Sequence, residues 1–269
     1  MVDLNWNHFG PVPDALPDSR AFAEHFYHQL KTAFPDFVAD FEAKFGIWQR
    51  RWFERQATHP APTSVWESCE LTEYDAVLML GPKTIPLVVH ELCNPDNLFA
   101  TVLYNHLETN PSAKIDPNDV LNYLTLNRQA NLIVDLNHER ARRAQERIEA
   151  WRKQTESRQK EGLEESGTTQ GTASQEGDPD TSCAEYAALV DMGPGIVAQV
   201  MLSYAADKTG PWWKVMHRLV CEEEAQKTQE EVQYERWREW FEDMEYYEAK
   251  EGLNPEYLRR MGMQEGMST

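Results

Sequence analysis

Positive charge is scarce in this chain. Its 269 residues carry 26 Lys and Arg against 45 Asp and Glu, a formal net charge of −19. A field of that sign repels phosphate backbones and anionic lipid surfaces, so neither nucleic acid nor membrane is expected as a partner. Cysteine is scarce too. Cys69, Cys93, Cys183 and Cys221 contain no CxxC spacing, which removes zinc-ribbon and thioredoxin-like readings and suits a reducing, cytoplasmic setting. No apolar run approaches the roughly eighteen residues of a membrane span. The first twenty residues, MVDLNWNHFGPVPDALPDSR, lack the basic and apolar regions of a secretory signal. GxSxG, P-loop and GxGxxG patterns are missing, which leaves nucleophile-elbow hydrolase, NTPase and dinucleotide readings without their signatures and implies no cofactor.

Apolar material is ample. The hydrophobic fraction is 41%, with nine Trp, ten Tyr and ten Phe, enough to build a core. Two stretches read alike: EYDAVLMLGPKTIPLVVHEL at 73–92 and EYAALVDMGPGIVAQVMLSY at 185–204. Each places apolar residues at helical spacing on either side of a Gly-Pro dipeptide. Glycine ends the first helix in a left-handed conformation and proline, with φ already fixed, starts the next. A third short helix follows each stretch: LFATVLYNHL in the first and WWKVMHRLV in the second. A long charged segment comes after each.

The remaining chain also reads as helix. Asp18 and Ser19 offer an N-cap before a stripe of Phe22, Phe26, Leu30 and Phe34. Pro35 opens a second helix with Phe37, Phe41, Phe45, Trp48 and Trp52 on one face, and Gly46 is expected to bend it. Thr72 is expected to cap the helix that carries Tyr74, and Asn94-Pro95-Asp96-Asn97 reads as a turn with its capping residue at the end. Ala141, Ala144, Ile148 and Trp151 step by three, four and three, a heptad seam. Residues 155–183 are nearly devoid of apolar side chains and read as a disordered linker. The fold class expected is all-α, two duplicated helical-repeat modules with long charged helices: an irregular segment 1–18, module one 19–154, linker 155–183, module two 184–252 and a tail 253–269. Glu139–Lys160 carries eight bases against four acids and Glu222–Glu251 twelve acids against four bases, so the two long segments are expected to pair.

The pattern Leu80-Gly81…Ile85-Pro86…Leu92 resembles a HEAT-type helical repeat unit, with Val88 and Val89 on its apolar face. The second copy departs from it, with Ala198 in place of Pro86 and Met201-Leu202 in place of Val89-His90. The resemblance covers some twenty residues per copy and implies a surface for contact rather than catalysis.

Candidate chemistry is thin. His25 and His28, with Glu24, have the spacing of metal ligands on one helix face but no third ligand at defined spacing, so no metal is assigned. His90-Glu91 and His138-Glu139 are fragments of HExxH, with Asn94 and Arg142 where the second histidine would stand. Trp212 and Trp213 open a helix; one indole is expected to fill the gap between helices of the second copy, as Phe99 does in the first. His106 and His217 fall at matching places. The reading is a non-enzymatic protein-interaction or scaffold module with a basic protein partner. The alternative is an enzyme or small-molecule binder whose pocket lies between the copies, lined by Trp212, Trp213, Tyr204, Tyr104, His217 and His106.

Overall fold

The computed structural model describes residues 15–58, 64–114, 123–165, 181–221 and 234–242. Among them every regular element is a helix and none is a strand, so the fold is all-α. The chain divides into two compact units, Met1–Glu139 and Arg140–Thr269. That division falls inside one long helix and not in 155–183.

In the first unit, α1 (Pro17–Ala33) starts on Pro17 at the first helical turn. Neither Asp18 nor Ser19 caps it; the preceding residue is Leu16, whose carbonyl accepts from the Ser19 and Arg20 amides at 2.9 and 3.1 Å. Ser19 is buried instead, its hydroxyl 3.1 Å from His138 Nδ1. α2 (Pro35–Thr58) continues through Gly46 and buries Phe37, Val38, Phe41, Phe45, Trp48 and Trp52. A 3-10 turn, Val65–Glu70, follows, fixed by a capping box between Ser64 and Glu67. α3 (Thr72–Leu78) begins on Thr72, which makes no cap; its cap position is Leu71. Gly81 then takes φ 74° and ψ −173°, a region essentially closed to other residues. Pro82–Thr84 form a 3-10 turn, α4 (Ile85–Glu91) follows, and Asn94 caps the next 3-10 turn from its start, accepting from Asp96 N at 3.0 Å. α5 (Thr101–Leu107) completes the set. α1 and α3 both pack on α2, and α4 lies on α1.

α6 (Tyr123–Glu165) is one continuous helix of 43 residues. Residues 155–165 are therefore helical, although composition placed them in the linker; 166–180 lie outside the described residues. So do 1–14, most of the acidic segment after Cys221, and 253–269.

The second unit takes α6 from Arg140 onward, with Ala141, Ala144, Ile148, Trp151 and Thr155 buried. α7 (Ala184–Val190), a 3-10 turn at Pro194–Ile196, α8 (Val197–Ala206), α9 (Trp212–Cys221) and α10 (Tyr234–Glu242) follow. α8 packs against both α9 and α10. No single described helix is long and apolar enough to cross a membrane; α7 and the Pro194–Ala206 stretch reach that length and composition only as a pair bent by 92°.

The two Gly-Pro stretches have matching geometry. α3 and α7 begin and end 112 positions apart (184 − 72 and 190 − 78), as do the 3-10 turns and the first residues of α4 and α8. Gly193 has φ 72° and ψ −176°. The corner bonds correspond as well: Gly81 N to Leu78 O at 3.0 Å and Gly193 N to Val190 O at 2.9 Å.

Candidate functional site

Three helices of the first unit converge on His90 of α4. Its ring stacks on Tyr27 of α1 at 4.2 Å and 9°, and its Nε2 lies 2.9 Å from Glu24 Oε2. The other oxygen of Glu24 meets His28 Nε2 at 2.9 Å. The Tyr27 hydroxyl donates to Glu42 of α2, and Lys31 Nζ reaches both, at 2.7 and 3.0 Å. The hydrogen bond from His90 holds the Glu24 carboxyl below its usual range. Burial opposes ionisation of Glu42, but Tyr27 and Lys31 outweigh it and its carboxyl also sits low. Hydrogen bonds to Tyr27 and Glu42 push the Lys31 ammonium up to about 12. This network ties α1, α2 and α4 together and leaves no carboxylate poised as a base near neutral pH. It also uses His28 differently from the HxxH expectation: His25 and His28 are not brought onto one ligand. Among the described residues no group of three or more His, Cys, Asp or Glu has the geometry of a metal site.

A second constellation surrounds Tyr74. Its ring lies 5.3 Å from Trp48, its hydroxyl pairs with His106 Nδ1, and the Cys69 side chain hydrogen-bonds to it. Burial, with Cys69 beside it, pushes the phenol far above its ordinary value. Burial likewise pushes the Cys69 thiol up to about 11 and the Cys93 thiol upward, so neither is a thiolate nucleophile. His106 is exposed at its outer side, yet partial burial of its ring and the nearby Lys114 charge lower its pKa.

The six pocket candidates are placed as follows. Tyr104 and His106 belong to the first unit, the other four to the second. Tyr104 is buried; its hydroxyl donates to Glu108 Oε2 at 3.2 Å and accepts from Asn137 Nδ2 at 3.1 Å. Trp212 is buried edge-to-face on Trp151 at 5.5 Å, its indole N–H 3.4 Å from Asp207 Oδ2. Tyr204 is buried against Tyr234 at 5.2 Å, and burial pushes its hydroxyl up to about 12. His217 is buried, and Trp213 is half-buried with Lys214 Nζ 5.7 Å from its ring. Tyr104, Tyr204 and Trp212 are core residues of their units.

Sequence reasoning missed two residues that organise the second unit. Arg147 donates to the Ala188 carbonyl of α7, and Arg140 lies against Gly195. Other bases of α6 meet acids on their own helix, Arg142 with Glu146 and Arg152 with Glu156. Pairing with the acidic segment falls mostly on residues outside those described.

No protein-family model matches this chain, and neither a curated protein nor a solved structure does.

Proposed function

We propose that this chain is a non-enzymatic protein-interaction module made of two copies of one helical unit, of the HEAT-like kind, acting in the cytoplasm on a basic protein partner. One observation carries the duplication: an aromatic trio recurs. In the first unit Trp48 of α2 packs against Tyr74 of α3 at 5.3 Å and Phe99 at 4.6 Å. In the second, Trp151 of α6 packs against Tyr186 of α7 at 5.9 Å and Trp212 of α9 at 5.5 Å. Both tyrosine hydroxyls reach the third short helix, Tyr74 at His106 and Tyr186 at the Lys214 carbonyl, 3.3 Å away.

This alignment recasts the repeated unit. The long helix precedes its Gly-Pro stretch rather than following it, and Phe41, Phe45, Trp48 and Trp52 correspond to Ala144, Ile148, Trp151 and Thr155, all buried. Such a unit cannot cover its apolar face alone, which is the physical reason for stacked helical repeats. The net charge of −19 favours a basic partner through long-range attraction. The free thiols Cys69, Cys93 and Cys183 suit a reducing compartment. The core roles of Tyr104, Tyr204 and Trp212 weigh against the pocket alternative.

The reading is tested by cross-linking the full chain in cell extract, identifying what it captures, and measuring the affinity of each purified partner against salt. A basic partner whose binding weakens steadily with salt supports it. Capture of acidic partners only, or salt-insensitive binding, refutes it.

A further inference from the structure

We propose that residues 1–14 dock as an extended strap on the outer face of α6 beside Leu132 and Leu136, with Phe9 and Val12 as the anchoring side chains. Leu16, Leu132 and Leu136 are 61%, 51% and 37% exposed, three of the five large apolar side chains left open to water among the described residues. One contact brings the three together. The Leu16 amide donates to Asp135 Oδ1 at 3.0 Å, and Asp135 stands between the two leucines on α6. All four residues belong to the first unit.

The occupant is fixed by where the chain leads. Ala15, the first described residue, is buried, so the segment before it starts at the edge of this patch. That segment, MVDLNWNHFGPVPD, sets apolar residues three apart, at Trp6, Phe9 and Val12, in register with Ala15. Three is the period of a polyproline II helix, in which residues so spaced share one side. Pro11 and Pro13 have φ fixed in that range. Leu16, at the described end, already has φ −55° and ψ 137°, close to polyproline II geometry. A strap of that form rises about 3.1 Å per residue and sets Val12 about 9 Å from Ala15. Leu132 and Leu136 are about 6 Å apart along α6, so Val12 and Phe9 are of the right reach to cover them.

Charge points the same way. The segment holds Asp3 and Asp14 and neither Lys nor Arg. Arg128, one turn before Leu132 on α6, is exposed and has no carboxylate partner among the described residues. An acidic strap meets that cation, whereas a basic partner is repelled by it. The tether decides against a second copy. A segment joined to the patch at Ala15 is held there at an effective concentration of roughly millimolar order, which a free chain must exceed to displace it. Prolines with φ already fixed also lessen the ordering entropy that docking costs.

The test is photo-cross-linking of the full chain with p-benzoylphenylalanine in place of Leu132, the adducts being mapped by mass spectrometry. Leu132 is exposed, so circular dichroism is expected to be unchanged. The expected product is an internal adduct to residues 1–14 at 31.2 kDa, in a yield independent of protein concentration. The same cross-linker in place of Leu136 is expected to give the same product. Phe9→Ser and Arg128→Glu are each expected to lower the yield severalfold, which mere tethering would not. Arg128→Lys is expected to retain it. Adducts that fall only elsewhere in the chain, or no adduct from either position, overturn the proposal. So does a product of twice the mass whose yield rises with concentration, which would make a second copy the occupant. A 1–14 adduct indifferent to Phe9→Ser or to Arg128→Glu overturns it as well.

Discussion

The guanidinium of Arg140 occupies the space that a side chain at Gly195 would need: a Cβ there would stand 3.1 Å from Cζ and closer still to Nη1. The first unit solves the same corner in reverse. Lys83, at the place corresponding to Gly195, is buried with its ammonium 5.5 Å from the ring of Phe37, at the place corresponding to Arg140. One cation sits under each corner, reached from the turn in one unit and from the long helix in the other.

A methyl at 195 must displace the Arg140 guanidinium, the far end of a flexible side chain. Gly195→Ala is therefore expected to forfeit the gain of roughly 0.4–1 kcal/mol that Gly→Ala gives on ordinary backbone. The double variant with Arg140→Ala is expected to be better than additive in denaturant titrations.

The corner glycines should be equally intolerant. Gly81→Ala and Gly193→Ala each force a side chain into a region that costs on the order of 1–3 kcal/mol. Both should lower the denaturation midpoint by similar amounts, because φ and ψ agree within a few degrees.

Trp212 separates core from pocket. Trp212→Ala is expected to lose about 3–5 kcal/mol, as does Trp48→Ala. Hydrogen exchange should rise in the second unit for the former and in the first for the latter. A Trp212→Ala protein of unchanged stability would instead place that indole at a binding site.

Stability should depend on pH through His106. Its pKa lies below the ordinary 6.5, so the unfolded chain takes up a proton before the folded one does. The contribution is neutral above 6.5 and becomes destabilising as pH falls below it. Glu24, Glu42 and Glu73, all lowered, lose their contributions only from about 4.5 downward. Glu91, raised by burial, acts with the opposite sign as pH climbs above 4.5. His106→Gln isolates the histidine: the difference in melting temperature from wild type should change between pH 7 and pH 5.

Much of the fold can be read from periodicity. The stripes Phe41, Phe45, Trp48, Trp52 and Ala141, Ala144, Ile148, Trp151 are buried where helical spacing puts them, and a glycine before a proline marks each corner. The C-terminal end of α6 is not legible from apolar content, because a segment poor in core residues can still be helical. SRQKEGLEE is poor in core material yet mostly strong helix formers. The capping box at Ser64 and Glu67 is written in the sequence as S-x-x-E, directly after the prolines of the preceding connector. The His90 network was not legible: Tyr27, Glu42 and His90 stand on three helices, and only tertiary packing brings them together. The contact of each long helix with the Gly-Pro stretch that follows it was not legible for the same reason, since Trp48 and Trp151 meet Tyr74 and Tyr186 far along the chain, where no local pattern reaches.

The two corners have a stereochemical consequence. With φ near +73° and ψ near 180°, Gly81 and Gly193 adopt the mirror image of ordinary extended backbone, which is where a residue of opposite chirality is most at ease. D-alanine introduced by chemical ligation at Gly193, the less buried of the two, would take that backbone without strain while restricting the unfolded chain, and should raise stability by roughly 0.4–1 kcal/mol where L-alanine lowers it.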